Sequence, residues 1–497
     1  MPPAVTHADA RPYVSLDERQ HSAAKRRETV FNGVCHGLIN GIIMVPVLVS
    51  FAAIIFKNQA FLPELPRLCK LVLISGTVHQ MAFVIASSLP FAVGSVQDAG
   101  LIFLSSMATA VVNHCDSEGL TRETMLSTTC VVLSLSTAML GVCLIGVGKL
   151  RVAQLVQYLP MPVVGGYLAY IGLFCGQAGL SFMAGISVDG VRDWHRFLDA
   201  RAAALAAPGA AAGLAMYLAI ARVRSVATLP ACMSAILAVF FIALAATGST
   251  LSDARAAGWV PAATPHLPLS SAWALFNLTD GGIAWGVLPD VIPSFLAMFF
   301  VVAFSSCLDV AAIEMELGKP LDYNRELQTV GLGNLLSGVT GGFTGSYIFS
   351  QTIFNLRAGV DTRWAGVTAV LVQLVVAIVP QSIVSFLPKA FFGSLLVVIA
   401  VDLMMEWLWR ARHRMMPVEF CVCVFTFAAA AATSVVKGLA LGTCAAAVAF
   451  AFSYAWSTLP VAITARAMDS TVMRTFEERR VLRAHRSQAT DFREWAP

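Results

Sequence analysis

Apolar runs alternate with short polar breaks along almost the whole chain, and most runs have the length a helix needs to cross a bilayer. They fall at roughly 34–56, 68–91, 96–112, 124–148, 159–185, 202–221, 227–247, 289–313, 327–341, 346–356, 364–380, 387–407, 417–435 and 438–459. Continuous apolar character fits helices, because the strands of a membrane barrel alternate every second residue. The pattern predicts an all-α integral membrane protein of about 14 transmembrane segments. Two runs, 96–112 and 346–356, are too short to span, and each follows a glycine-containing break.

The second break reads Gly341-Gly342-Phe343-Thr344-Gly345-Ser346 and continues to Asn355. Non-helical backbone at membrane depth is tolerated only where protein or a water-filled cavity covers it. A half-helix starting near Ser346 directs its free N–H groups, about half a positive charge, at whatever occupies that cavity. The first break, Leu89-Pro90-Phe91-Ala92-Val93-Gly94, predicts a short extended piece and a helix from about Ser95. Two such ends meeting near the midplane offset about one negative charge. Ser95, Ser346 and Ser350 add hydroxyl donors, and Val96, Gln97, Tyr347 and Ile348 share the same two turns. Gly94, Gly341 and Gly345 also suit plain close packing of helices.

The halves of the chain resemble each other. Leu159-Pro160-Met161-Pro162-Val163-Val164-Gly165-Gly166-Tyr167-Leu168 parallels Leu387-Pro388-Lys389-Ala390-Phe391-Phe392-Gly393-Ser394-Leu395-Leu396, and Gly94-Ser95 parallels Gly345-Ser346. Both pairs keep their order, at the fifth and third segments of each half. A seven-plus-seven repeat follows, about 29–248 and 289–460, with broken half-helices at segments 3 and 10. An odd number of crossings inverts the second half in the membrane.

Composition narrows the class. The chain is 57% hydrophobic and 12% charged, against about a quarter charged in globular proteins. A net charge of +4, with basic residues clustered at the tails, excludes nucleic acid as a partner. The 11 cysteines stand mostly singly in apolar runs, without a CxxC pair, so they read as packed thiols; neither a metal nor a cofactor is expected. Residues 1–28 form a polar tail without a signal-peptide core, expected to be disordered and cytosolic. Residues 461–497 are a short polar tail. Basic residues at both tails, Lys149/Arg151, Arg222/Arg224 and Arg410/Arg412/Arg414 fall on one side of a 14-span chain, which places both termini in the cytosol. No His/Asp/Cys cluster recurs at catalytic spacing, so an enzyme is not expected.

Single polar residues carry the remaining chemistry. Asp309 follows an uncharged run, and a carboxylate there costs about 2.5–3.5 kcal/mol on insertion scales. It is read as a proton or cation coupling group or a polar cavity wall, with an interfacial acid as the structural alternative. Asp402 and Glu406 share a helix face and suit pairing with Arg410. Asn324-Arg325-Glu326 opens a helix and bonds backbone ends, and His79 is read as a satisfied buried imidazole. Asp98, in a helix first turn, is expected to face away from an anion.

Several stretches resemble the sulfate permease (SulP) family, the solute carrier 26 group. They are Leu155 to Gly166; Asn324-Arg325-Glu326-Leu327 followed by Gly331-Leu332-Gly333-Asn334-Leu335-Leu336-Ser337-Gly338 and Gly341-Gly342; and Asn355-Leu356-Arg357-Ala358-Gly359. The resemblance spans about residues 30–482. It implies a fourteen-helix core and gate architecture, a homodimer, and inorganic anions moved by an elevator-like alternation between helices three and ten. By position, Phe51 matches a pocket aromatic, Ser350 a pocket serine, and Asp309 an acid that helps bind sodium in some bicarbonate-transporting members. The chain departs from the family at Val47, where Gln is usual, and at Gln351, where some animal members carry Arg. Ile313, Tyr347, Ile348 and Phe349 replace the cation ligands of sodium-coupled members. Ser470 to Arg480 resembles the run-in to a cytosolic STAS domain that is expected to be missing or truncated.

The resulting expectation is a secondary transporter for sulfate first and bicarbonate or another oxyanion second, coupled to a proton or sodium. A nucleobase or organic-anion permease, or an anion channel or voltage-responsive motor, are the alternatives. Plasma membrane and vacuolar or organellar membrane are equally compatible.

Overall fold

The computed structural model describes residues 16–151, 153, 160–186, 188, 190–223, 228–261, 267–278, 282–379, 385–456 and 480–481. The first part of the N-terminal tail, residues 154–159 of the fifth-segment motif, Arg224, and nearly all of 461–497 lie outside the described residues. The first repeat contains α1 (Leu16–Ile55), α2 (Leu65–Ala86), β1 (Gly94–Val96), α3 (Asp98–Ser117), α4 (Arg122–Lys149), α5 (Met161–Ala184), α6 (Ala200–Val223) and α7 (Thr228–Ala246). Two short helices, α8 (Leu251–Ala257) and α9 (Ser270–Trp273), lie in the long connection. The second repeat contains α10 (Leu288–Leu317), α11 (Tyr323–Val339), β2 (Gly345–Tyr347), α12 (Phe349–Arg357), α13 (Trp364–Ile378), α14 (Lys389–Met404), α15 (Pro417–Ala432) and α16 (Val435–Trp456).

Local chemistry marks the helix ends. Proline occupies the first turn of α2, α5, α10 and α15, where a missing N–H leaves no bond unmade. Gly185 and Gly318 close α5 and α10 in the left-handed conformation. One boundary differs from expectation: α1 begins at Leu16, inside the stretch read as a disordered tail. Strong helix formers between Glu18 and Lys25 continue the helix backwards from its apolar part.

Among the described residues, nine helical stretches are long and apolar enough to cross a membrane, and α13 and α15 are shorter apolar helices. In α7 the apolar window is only 6% buried although its mean hydropathy is 2.4. An apolar surface of that kind is stable against lipid and not against water.

The helices pack as two groups. α1 to α4 and α10 to α13 form one, in which α4 packs on α11, α13 on α1 and α2, and α10 on α3. α5 to α7 and α14 to α16 form the other, joined through α5 on α14 and α15, and α6 on α14. A pseudo-twofold relation runs through these packings. α4 on α11 has its counterpart in α13 on α2, α5 on α15 in α14 on α6, and α15 on α16 in α6 on α7. Glycine brings α4 and α11 together: a Cβ on Gly141 would stand 2.3 Å from the Leu335 nitrogen, and one on Gly338 2.3 Å from that of Ala138.

The two breaks meet at the centre of the first group. β1 and β2 are antiparallel, with Gly94 opposite Tyr347, Ser95 opposite Ser346 and Val96 opposite Gly345. Helices were expected from Ser95 and Ser346; they start at Asp98 and Phe349, after strands. The reason is the accounting of backbone bonds, since each exposed segment at membrane depth supplies what the other lacks. A single segment of sequence does not show its partner, which comes from the other repeat.

Gly345 sets how close the strands lie, because a Cβ there would stand 2.3 Å from the Ser95 carbonyl oxygen and 2.7 Å from His79 Nε2. Gly345→Ala is expected to destabilise the protein by about 1–3 kcal/mol, the usual range for overpacking. Thermal unfolding in detergent reads this; an unchanged midpoint would contradict the pairing.

Candidate functional site

One amide side chain from each repeat holds each strand. On α2, Gln80 Nε2 donates to the Ala92 carbonyl at 3.2 Å, and its Oε1 accepts from the Gly94 N–H at 3.0 Å. On α11, Asn334 Nδ2 donates to the Gly345 carbonyl at 2.7 Å and Oδ1 accepts from the Gly345 N–H at 3.0 Å. The arrangement repeats the pseudo-twofold relation at the level of single bonds. Residues of α12 complete it: Thr352 Oγ1 accepts from the Val93 N–H at 3.1 Å, and Asn355 Nδ2 donates to the Phe91 carbonyl at 3.0 Å.

A second support lies at the end of α2. Buried Glu326 accepts from the Ser87 hydroxyl and the Ser88 N–H, each at 3.1 Å, and from the hydroxyls of Ser88 and Tyr347. Arg363 donates to the carbonyls of Val84 and Ile85 in the last turn of α2 and to that of Ser87 just beyond it. Thus a carboxylate and a guanidinium fix the chain where it leaves α2 for β1. His79 Nε2 meets the Phe343 carbonyl at 2.9 Å, while its buried Nδ1 has no partner among the described residues, so the imidazole read as satisfied is satisfied at one nitrogen.

On this frame α3 and α12 start at opposite ends of the antiparallel ladder, just past Val96 and just past Tyr347. Gln97 and Ile348 stand at the N-caps of α3 and α12, and neither side chain caps its helix. The N–H groups of the first turn of α12 are therefore not taken by a capping side chain. Ser350 lies exposed in that turn. Ser346 and Ser306 of α10 share a hydrogen bond of 2.7 Å between hydroxyls. The Ser95 hydroxyl is fully buried beside Gly76 and has no partner among the described residues. Gln97 Nε2 donates to Asp309 Oδ2 at 2.8 Å and to Ser305 Oγ at 3.1 Å.

The structure thus brings Ser95, Val96, Gln97, Ser346 and Asp309 together around the strand pair. Ile348 joins them through its N–H, which donates to the Val93 carbonyl at 2.8 Å. Phe51 is buried on α1, the helix that packs against α3, α5 and α14. Tyr347 is placed differently: its ring lies edge-on to Phe83 at 4.5 Å and its hydroxyl is engaged by Ser87 and Glu326. Alternation along a strand explains this, because Ser346 and Tyr347 must point to opposite faces.

Asp98, in the first turn of α3, accepts from the Ala99 N–H at 2.8 Å through Oδ1. Glu406 pairs with Arg410 at 2.8 Å and Arg414 at 2.7 Å, whereas Asp402 makes no ion pair among the described residues. No three His, Cys, Asp or Glu side chains converge as metal ligands among the described residues. Gln80, Thr352, Asn355 and Ser306 escaped the sequence reading; being polar residues inside apolar helices was the available signal.

Comparison with known proteins fits this geometry. The model of the sulfate permease family matches residues 31–426. The chain belongs to that family. The vacuolar basic amino acid transporter VSB1 of Saccharomyces cerevisiae is 24% identical over 338 residues, 65% of this chain and 31% of that protein. The chain thus spans about a third of this relative's length. Its fold matches the transmembrane domain of the cyanobacterial bicarbonate transporter BicA, with a TM-score of 0.56 and 16% identity, over 84% of this chain and 97% of that one. It also matches SLC26A9, with a TM-score of 0.65 and 16% identity, over 91% and 73% of the two chains.

Removing either amide leaves a buried N–H and C=O unpaired, at about 1–3 kcal/mol per group. Gln80→Ala and Asn334→Ala are each expected to lower the unfolding midpoint, and to do so alike, since they are pseudo-twofold mates. A variant that melts as the parent does would show that its strand is held by something else.

Proposed function

We propose that this member of the sulfate permease family is a secondary transporter binding its cargo between the amino ends of α3 and α12. The observation that carries the reading is the strand pair, from whose two ends α3 and α12 start, with neither helix capped by its N-cap side chain. Helix-end dipoles and the hydroxyl of Ser350 replace part of an anion's hydration shell. Sulfate is the first cargo on this reading and bicarbonate or another small oxyanion the second. Both termini lie in the cytosol, and two copies form the working unit. The group containing the strands slides against the group built on α5 and α14, in an elevator-like alternation. Asp309 couples the cycle to a proton, whose arrival removes the repulsion between this carboxylate and an incoming anion.

A second reading takes its support from Asp309, whose carboxylate accepts from Gln97 at the start of α3, and from the yeast relative, which is named for basic amino acids. On that reading the cargo carries positive charge.

Uptake of labelled sulfate into proteoliposomes tests the first reading. Saturable uptake, enhanced by an imposed proton gradient and lost in Ser350→Trp, is the expected result. Full uptake in Ser350→Trp would exclude the end of α12 as the site.

A further inference from the structure

At the strand pair, α5 and α14 meet the two repeats unequally. From the first repeat, α1 packs on both of them and α3 packs on α5. The pseudo-twofold mates of these packings would set α10 and α12 against α14 and α5, and no comparable packing joins them among the described residues. Exposure divides the same way. Gln97 and Ala99 are buried at the start of α3, whereas Phe349 and Ser350 are exposed at the start of α12. The site is thus closed over α3 and open over α12.

One side chain bonds the closed contact directly to a half-helix. Tyr167, fully buried on α5, donates from its hydroxyl to the Ala99 carbonyl in the first turn of α3 at 2.5 Å, and its ring stacks on Phe103 with centroids 5.6 Å apart. A slide of more than about 1 Å between the two helices takes such a pair out of bonding range. Ser50 of α1 also crosses, to the Phe392 carbonyl at 3.2 Å, but its hydroxyl keeps a local acceptor in Pro46 at 2.9 Å when the groups part. The Tyr167 bond is made across the boundary only.

The other repeat has no equal to it. α3 and α12 start at Asp98 and Phe349, and α5 and α14 at Met161 and Lys389. The repeat therefore relates Ala99 to Ser350, Phe103 to Phe354 and Tyr167 to Leu395. In the mirror arrangement, with α14 packed on α12, Leu395 faces the Ser350 carbonyl and has no hydroxyl to give it.

We infer that Tyr167 is a one-sided latch, whose hydroxyl holds α5 on the α3 half-helix in the state open over α12. The inference rests on the transporter reading above, in which the two groups slide past each other. Because the opposite state lacks the corresponding bond, Tyr167 biases the resting carrier toward exposing the amino end of α12. Each cycle breaks this bond before the α3 end opens.

Tyr167→Phe removes the hydroxyl and keeps the ring on Phe103, so it tests the latch without emptying the contact. Ser350→Cys reports the state open over α12; its mate, Ala99→Cys, keeps the backbone carbonyl and reports the opposite state. Modification by a water-soluble maleimide is read at each position by peptide mass spectrometry, on the full chain in nanodiscs, where both faces meet the reagent. With Tyr167→Phe, Ala99→Cys is expected to react about two- to tenfold faster, the factor one neutral hydrogen bond supplies, while Ser350→Cys reacts no faster. Faster reaction at both positions alike is general loosening and would overturn the latch. Reaction at Ala99→Cys that ignores Tyr167→Phe would overturn it too and leave the alternation standing. Ser350→Cys reactive with Ala99→Cys inert, in parent and Tyr167→Phe alike, would end both.

Discussion

Backbone N–H and C=O groups inside a bilayer have no water to bond, and this constraint shapes everything at the centre of the molecule. Both repeats break a helix at mid-depth, which exposes several such groups at once. Pairing β1 with β2 answers most of the demand, and Gln80 and Asn334 answer more of it from the flanking helices. Because each repeat supplies one strand, neither repeat completes the site alone. The inverted arrangement is therefore a condition of the site as well as a relation between the halves.

Holding the strands rigidly has an electrical consequence. The helix ends that follow them are fixed in place, one at each end of the strand pair, and neither is capped by its N-cap side chain. A cationic side chain would bind an anion tightly and release it slowly. Dipoles hold it more weakly, which suits a carrier. Against this stands the acidic side of the site, where Gln97 ties α3 to Asp309 of α10.

Periodicity made the helices and their repeat legible in the sequence, because twenty-residue apolar runs and glycine breaks are local signals. The glycines at 94 and 345 marked the right places, and Asp309 stood out as an isolated charge. What the sequence hid was tertiary. Strand pairing joins residues about 250 positions apart, so neither break looks like a strand by itself. Tyr347 sits in the motif but faces Glu326, and only the strand's alternation decides that.

Cross-linking tests the central claim most directly. Ser95 and Ser346 are opposed in the strand register, so cysteines at both positions fall within reach of a disulfide. The Ser95→Cys/Ser346→Cys protein, oxidised in membranes and digested, is expected to yield one peptide joining the two breaks, absent from either single variant. A folded double variant that never forms this link would contradict the meeting of the half-helices on which the whole account depends.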